Sequence, residues 1–191
     1  AATAPAQLPF LLQPWTGPHG GVPPWDKVTP EMFPPAFEVA FDKVRAEIRA
    51  IAENPAQPTF DNVIGALEAS GESLNQVASL FNVMTSNMNS PAYQALDRDW
   101  SPRFAALGDE IAMDPKLFAR IKALHDARAT LGLDAIDLRL LERRYTDFVR
   151  SGAALNDAQK ARIRAINTDL SKLGTQFNQN VLAEVNDSAV V

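Results

Sequence analysis

Between Leu138 and Asp187 the chain reads LRLLERRYTDFVRSGAALNDAQKARIRAINTDLSKLGTQFNQNVLAEVND, and the second half of this stretch constrains everything before it. Ile163, Ile166, Leu170, Leu173 and Phe177 follow at steps of 3, 4, 3 and 4, which lines one face of a helix with apolar side chains. Asn156, with Gln159 three residues later, has the form of a capping box at its start. From Asn156 to Asp187 there is no Pro and the only Gly is Gly174, so the helix can run roughly 45 Å at 1.5 Å per residue. Earlier helices are expected to cover a seam of that length. Ile166→Asp or Leu170→Asp is then expected to cost roughly 3 kcal/mol or more, as an unpaired buried charge.

The preceding chain supplies candidates for that packing. Residues 1–28 hold six of the fourteen prolines together with Gly17, Gly20 and Gly21, and read as an extended arm. Its Leu8, Phe10, Leu11, Trp15 and Trp25 are expected to tack it to a helical body, with the aromatics as anchors. Residues 29–191 read as helical throughout. Thr29-Pro30-Glu31 is a helix start, with a capping hydroxyl, Pro at the first position and an acid in the first turn. Pro34 and Pro35 suit a restart after one turn, and Phe33, Phe37, Phe41, Val44, Ile48 and Ile51 then form a stripe. Thr59 caps a second helix with a seam at Phe60, Ile64, Leu67, Leu74, Ala78, Phe81 and Met88; Gly71 on that seam marks a close crossing or a kink. A third helix opens at Ser90-Pro91 and carries Pro102 inside it, where a kink is expected. Asp114-Pro115 opens a fourth. Leu138, Leu141, Tyr145 and Phe148 mark a fifth, which ends at Ser151-Gly152. Apart from the final Ala189-Val190-Val191, no strand pattern occurs. The expected fold is all-α, with about six helices packed as antiparallel hairpins.

Charge and composition exclude several functions. The net charge of −5 argues against nucleic acid as a main partner. Residues 116–172 are nonetheless basic, with 12 Lys or Arg against 7 Asp or Glu, and read chiefly as a solvated helix exterior. Without Cys there is no disulfide, thiol chemistry or Cys-ligated zinc, in a reducing or an oxidising compartment alike. No apolar run approaches a membrane span. The opening AATAPAQ has the small residues left after signal cleavage, which gives a periplasmic expectation with the cytoplasm as the alternative.

Catalytic constellations are missing. Zinc hydrolysis needs three ligands and an open position, whereas the chain has two histidines, His19 and His125, far apart and outside any H-E-x-x-H. There is no G-x-S-x-G elbow and no glycine-rich phosphate loop. The carboxylate pairs Asp97/Asp99, Asp109/Glu110 and Asp134/Asp137 are expected on exposed faces or caps, not converging in a cleft as acid–base work requires. Catalytic, cofactor-binding and metal residues are therefore all expected to be none.

Four stretches, in order, resemble one family. Thr29-Pro30-Glu31-Met32-Phe33-Pro34-Pro35-Ala36-Phe37-Glu38 resembles the "PEHFxPAFEEA" opening of zinc oligopeptidases of the thimet oligopeptidase and peptidyl-dipeptidase type. Pro58-Thr59-Phe60-Asp61-Asn62-Val63-Ile64, followed by Ala66-Leu67-Glu68, resembles their "PTFENTIxALE". Tyr145 to Ala153 with Leu155 resembles "YRDFVRAGAxL", and Lys160 to Asn167 with Leu170, Leu173, Phe177 and Asn180-Val181-Leu182 resembles the following helix. The resemblance runs from Pro24 to about Val191, nearest to the bacterial peptidyl-dipeptidase branch and next to the oligopeptidase A branch. It implies the helical N-terminal part of a longer zinc peptidase that releases C-terminal dipeptides from oligopeptides, forming part of a channel wall. The implied partners are a C-terminal catalytic domain, which carries the zinc, and short peptide substrates; nucleic acid and membrane are not implied. No residue of this chain matches a zinc ligand or catalytic residue of the family. A stand-alone helical module that binds a partner helix or peptide is the alternative.

Overall fold

The computed structural model describes residues 8–18 and 21–188; His19 and the Ala189-Val190-Val191 segment lie outside the described residues. Among the described residues the fold is all-α, with no strand. Two compact units form, one from Ala1–Ala46 with Gly71–Leu96, the other from Glu47–Ser70 with Asp97–Val191.

In the first unit, a 3-10 turn at Pro30–Met32 leads into α1 (Phe33–Ala52), so Pro34 and Pro35 fall in the first turn, where a missing N–H costs nothing. The Thr29 side chain does not cap this start. It hydrogen-bonds the Glu31 carboxylate, which helps to hold Glu31 below the usual carboxylate range, after the larger effect of the Glu31 backbone amide. Phe33, Ala36, Phe37, Ala40, Phe41 and Val44 are buried at helical spacing. Phe33 and Phe37 meet Phe81 edge-on at centroid distances of 5.1 and 5.3 Å, and Tyr93 stands 6.0 Å from Phe33. Burial, and secondarily the charge of Glu31, raises the Tyr93 pKa. The arm is fixed differently from the expectation. Leu11 and Leu12 are buried, and Gln76 Nε2 donates to the carbonyls of Leu11 and Gln13 at 3.0 and 3.2 Å, whereas Phe10 and Trp25 are exposed. Of the arm's aromatics Trp15 alone is half-buried, with its Nε1 inside, so a leucine pair, one tryptophan and the Gln76 amide hold the segment.

The expected second helix is broken rather than kinked. A π-helical turn at Asp61–Gly65 passes into α2 (Ala66–Ala69), and after Gly71, at φ +79°, α3 (Glu72–Asn87) begins. Only glycine adopts that φ without strain. Thr59 and Asn62 cap each other reciprocally: Asn62 N donates to Thr59 Oγ1 at 3.2 Å, and Thr59 N to Asn62 Oδ1 at 2.9 Å. Met88, expected on the seam, is the C-cap of α3 and exposed.

The second unit is built on α4 (Pro91–Ala112) from Asp97 onward, α5 (Pro115–Ala127), α6 (Ala135–Arg150) and α7 (Asp157–Ser188). α4 runs on through Pro102, whose absent N–H leaves the Arg98 carbonyl without its helical bond. Asp114 and Asp134 cap α5 and α6 through backbone amides at 2.8 Å. Leu117, Ile121, Leu124 and Leu141 close the α5–α6 hairpin, all at 2% exposure or less, each worth about 1.5–3 kcal/mol of apolar burial. Arg120 donates to the carbonyls of Asn54 and Ala56 and to Asn62 Oδ1, tying the 54–62 segment to α5.

Between α6 and α7 the chain turns at Gly152, at φ +99°. A Cβ there would stand 3.2 Å from Leu155 Cδ1 and 3.4 Å from Ile163 Cδ1. Gly152→Ala is expected to lower stability by about 1–3 kcal/mol, read as a lower thermal midpoint, with helix content unchanged at low temperature.

Candidate docking face on the last helix

The start of α7 is fixed by the expected capping box. Asn156 N donates to Gln159 Oε1 at 3.2 Å, and Gln159 N returns to Asn156 Oδ1 at 3.0 Å. From there α7 runs antiparallel to the second half of α4. Lys160, nine-tenths buried, donates to the Met113 carbonyl just beyond α4 at 3.2 Å. Asn167 Nδ2 donates to the buried carboxylate of Asp109 at 2.6 Å, and Arg98 Nη1 donates to Gln179 Oε1 at 2.8 Å. Thr175, 7% exposed, lies between these last two bonds. The inward face of α7 is thus mostly polar or small, with Lys160, Asn167, Thr168, Ser171, Thr175 and Gln179, and half-buries the apolar Ile163 and Leu182 near its two ends.

The apolar face points the other way. Ile166 is 40% exposed, Leu170 61%, Leu173 65% and Phe177 66%, followed by Val181 and Val185, which are also exposed. From Ile166 onward this overturns the expectation that earlier helices cover the seam, while Ile163, at its start, is half-buried beside Gly152. α4 offers the small residues Ala105, Gly108 and Ala112 on the side where Ile163, Ile166 and Asn167 of α7 stand, and open space is left between them. A cleft of about 640 Å³ lies where this face begins, lined by those three residues with Asp109, Arg150 and Ile166 among others. A Cβ added at Gly108 would touch nothing within 4 Å.

The carboxylate pairs do not converge. Asp97 accepts from Ser101 Oγ at 2.7 Å while Asp99 is exposed, and Asp134 is spent on capping. Asp109 departs from its expected exposed position, because Asn167 draws it under α7. The sequence signal for this is the spacing of Asn167, which faces inward four residues before Ser171 and eight before Thr175. Among the described residues no three His, Asp or Glu side chains gather as a metal site. His125 is stacked on Tyr145, with centroids 3.7 Å apart and rings 8° from parallel, and its Nδ1 is buried without a hydrogen-bond partner.

Much of the basic segment is engaged in holding the unit together. Arg144 pairs with Glu68, Lys116 with Glu53, and Arg128 with Glu142. The Arg144 hydrogen bond holds the Glu68 carboxyl below its usual pKa range, and Arg144 is raised in turn. Both side chains are 39% exposed, so screening limits the pair to at most about 1 kcal/mol. With the folded pKa depressed, that contribution is present above the unfolded carboxylate pKa and is lost as pH falls through the folded one.

No helix among the described residues is long and apolar enough to cross a membrane. No family model matches the chain. It is 41% identical over 178 residues to dipeptidyl carboxypeptidase of Escherichia coli strain K12, a match covering 92% of this chain and 25% of that protein. Identity to the dipeptidyl carboxypeptidase of Salmonella typhimurium is 40% over 161 residues, 84% of this chain and 24% of the relative. Oligopeptidase A of Escherichia coli is 25% identical over 180 residues, 94% of this chain and 25% of the relative. The chain spans about a quarter of the length of these relatives.

Proposed function

We infer, for a chain related along nearly its whole length to the dipeptidyl carboxypeptidase and oligopeptidase A peptidases, that it is the helical, non-catalytic N-terminal part of such an enzyme. In this reading residues 1–28 are a leading arm and 29–191 a helical domain. The remainder of the polypeptide carries the zinc and the chemistry, releasing C-terminal dipeptides from short peptides. When bound there, zinc polarises the scissile carbonyl and activates water; no residue of this chain takes part. The contribution of this chain is to wall part of a channel, admitting unfolded peptides and excluding folded proteins by size. The observation that carries the reading is the match itself, which accounts for 92% of this chain but only 25% of the relative. The outward apolar face of α7 supports it, because a stripe of this size suits a surface covered by further polypeptide. For compartment the reading takes the cytoplasm, since one relative is named a probable cytosolic oligopeptidase A.

The test is a chimera of the Escherichia coli dipeptidyl carboxypeptidase in which this chain replaces the matched quarter. The chimera is expected to release C-terminal dipeptides within about tenfold of the parent rate, a difference of about 1.4 kcal/mol in barrier. The 191-residue chain with added zinc is expected to release none. A folded but inactive chimera, or turnover by the chain alone, overturns the reading.

A further inference from the structure

We propose that the cleft lined by α4, the end of α6 and the start of α7 binds a small zwitterion of the amino-acid or dipeptide class, through its ammonium and carboxylate groups. The inference does not rest on the peptidase reading, and the cleft shares only Ile166 with the outward stripe of α7.

The buried carboxylate comes first. Asp109 is 8% exposed, and its carboxylate has one donor, Asn167 Nδ2 at 2.6 Å. Among the described residues no Lys, Arg or His forms an ion pair with it. A carboxylate withdrawn from water without a cation is unfavourable. It is not sealed, however, because Asp109 lines a cleft of about 640 Å³. An ammonium group entering there gives the second carboxylate oxygen a charged donor, the kind that makes the shorter and stronger hydrogen bonds. The side-chain carbonyl of Asn167, which lines the same cleft, is a further acceptor for it.

Arg150 sets the other end of the ligand. It lines the cleft from the last residue of α6, is exposed, and has no partner for its guanidinium among the described residues. Its planar fork suits a carboxylate, which it can hold through two parallel bonds. Asp109 and Arg150 do not pair with each other, so each keeps its charge for an incoming group. A simple amine meets the charge of Arg150 and a simple acid that of Asp109, whereas a molecule carrying both groups satisfies both. Most of the remaining lining is apolar or small. Ile163 offers a half-buried apolar wall, and at Gly108 an added Cβ would touch nothing within 4 Å. A few polar groups in an apolar cleft of roughly 300–1,000 Å³ is the usual form of a small-ligand site. The volume has room for two residues, so alanyl-leucine is the probe.

A nuclear magnetic resonance titration of the isotope-labelled 191-residue chain tests the site. The backbone amides of Gly108 and Asn167 are expected to shift with a Kd on the order of a millimolar, the affinity of a ligand of this size at ordinary efficiency per atom. N-acetyl-alanyl-leucine is expected to bind about tenfold more weakly, since it lacks the charged donor. Alanyl-leucine amide is expected to lose about threefold, because Arg150 stands in water. Asp109→Asn keeps an acceptor for Asn167; it is expected to cost about tenfold and to erase the difference between the free and acetylated dipeptides. Arg150→Gln is expected to erase the difference between the free and amidated ones. Gly108→Leu fills the open space with a better helix former and is expected to block binding with helix content kept. No shift at about tenfold the expected Kd, an acetylated dipeptide that binds the parent chain as well as the free one, or a folded Asp109→Asn chain of parental affinity overturns the proposal. Because the caps sit on the ligand, their comparison in the parent chain stands even where a variant does not fold.

Discussion

Phe37→Ala is expected to remove about 3–5 kcal/mol from the first unit. Phe37 is fully buried, and its ring meets Phe81 edge-on at 5.3 Å and Phe33 at 5.7 Å. Truncation forfeits the transfer energy of a benzyl group, opens a cavity between α1 and α3, and removes one ring contact each from Phe33 and Phe81, which keep each other and Tyr93. Edge-to-face pairs add about 0.5–1.5 kcal/mol beyond area burial, so the loss belongs near the top of the range. Against a total stability of about 5–15 kcal/mol for a typical domain, it removes a large share. Guanidinium unfolding followed by circular dichroism is expected to show the midpoint falling well below that of the parent. A shift worth less than about 1 kcal/mol would show that the four-ring cluster does not hold this unit.

The second expected result is a contrast within the other unit. Ile121→Asp is expected to abolish cooperative melting of that unit, whereas Leu170→Asp is expected to leave its midpoint within the ±0.5 kcal/mol typical of surface changes. Both replace an aliphatic side chain on a helix by a carboxylate. Ile121 has no exposed surface and sits among Leu117, Leu124 and Leu141, so a carboxylate there has neither water nor counter-charge and costs about 4 kcal/mol or more. Leu170 is 61% exposed, and its carboxylate enters water directly. Melting at low protein concentration separates the two. Equal losses would mean that the face of α7 is covered in the isolated chain.

The contrast marks where the sequence was legible and where it was not. Helix starts were readable because a cap needs only residues three apart: Asn156 with Gln159, Thr59 ahead of Asn62, and Asp114 before Pro115. The stripe of α1 and the α5–α6 hairpin were readable because their apolar residues do face inward. For α7 the same pattern misled. Periodicity states that a face is apolar, not what covers it, and the packed side of α7 is centred on Asn167, Ser171 and Thr175, with Ile163 and Leu182 half-buried toward its ends. Thr29 does not cap because its hydroxyl bonds Glu31 instead, and of the two readings of Gly71, a close crossing or a kink, the chain shows a break at positive φ with Val44 of α1 3.7 Å from where a Cβ would stand. That none of the carboxylate pairs lies beside a second pair follows from their use elsewhere, as cap, hydroxyl acceptor and amide partner.

The division of α7 into a polar anchor and an oily exterior also makes its outer surface editable. Hydrogen bonds to α4, and the capping box, seat the helix from one side, and none of them involves Leu170, Leu173 or Phe177. Those outward positions can be rewritten without disturbing the seating, as glutamate and lysine for a solubilised scaffold or as a chosen heptad for a programmed partner. The mounting of the helix thus lies on one side, and the residues open to redesign on the other.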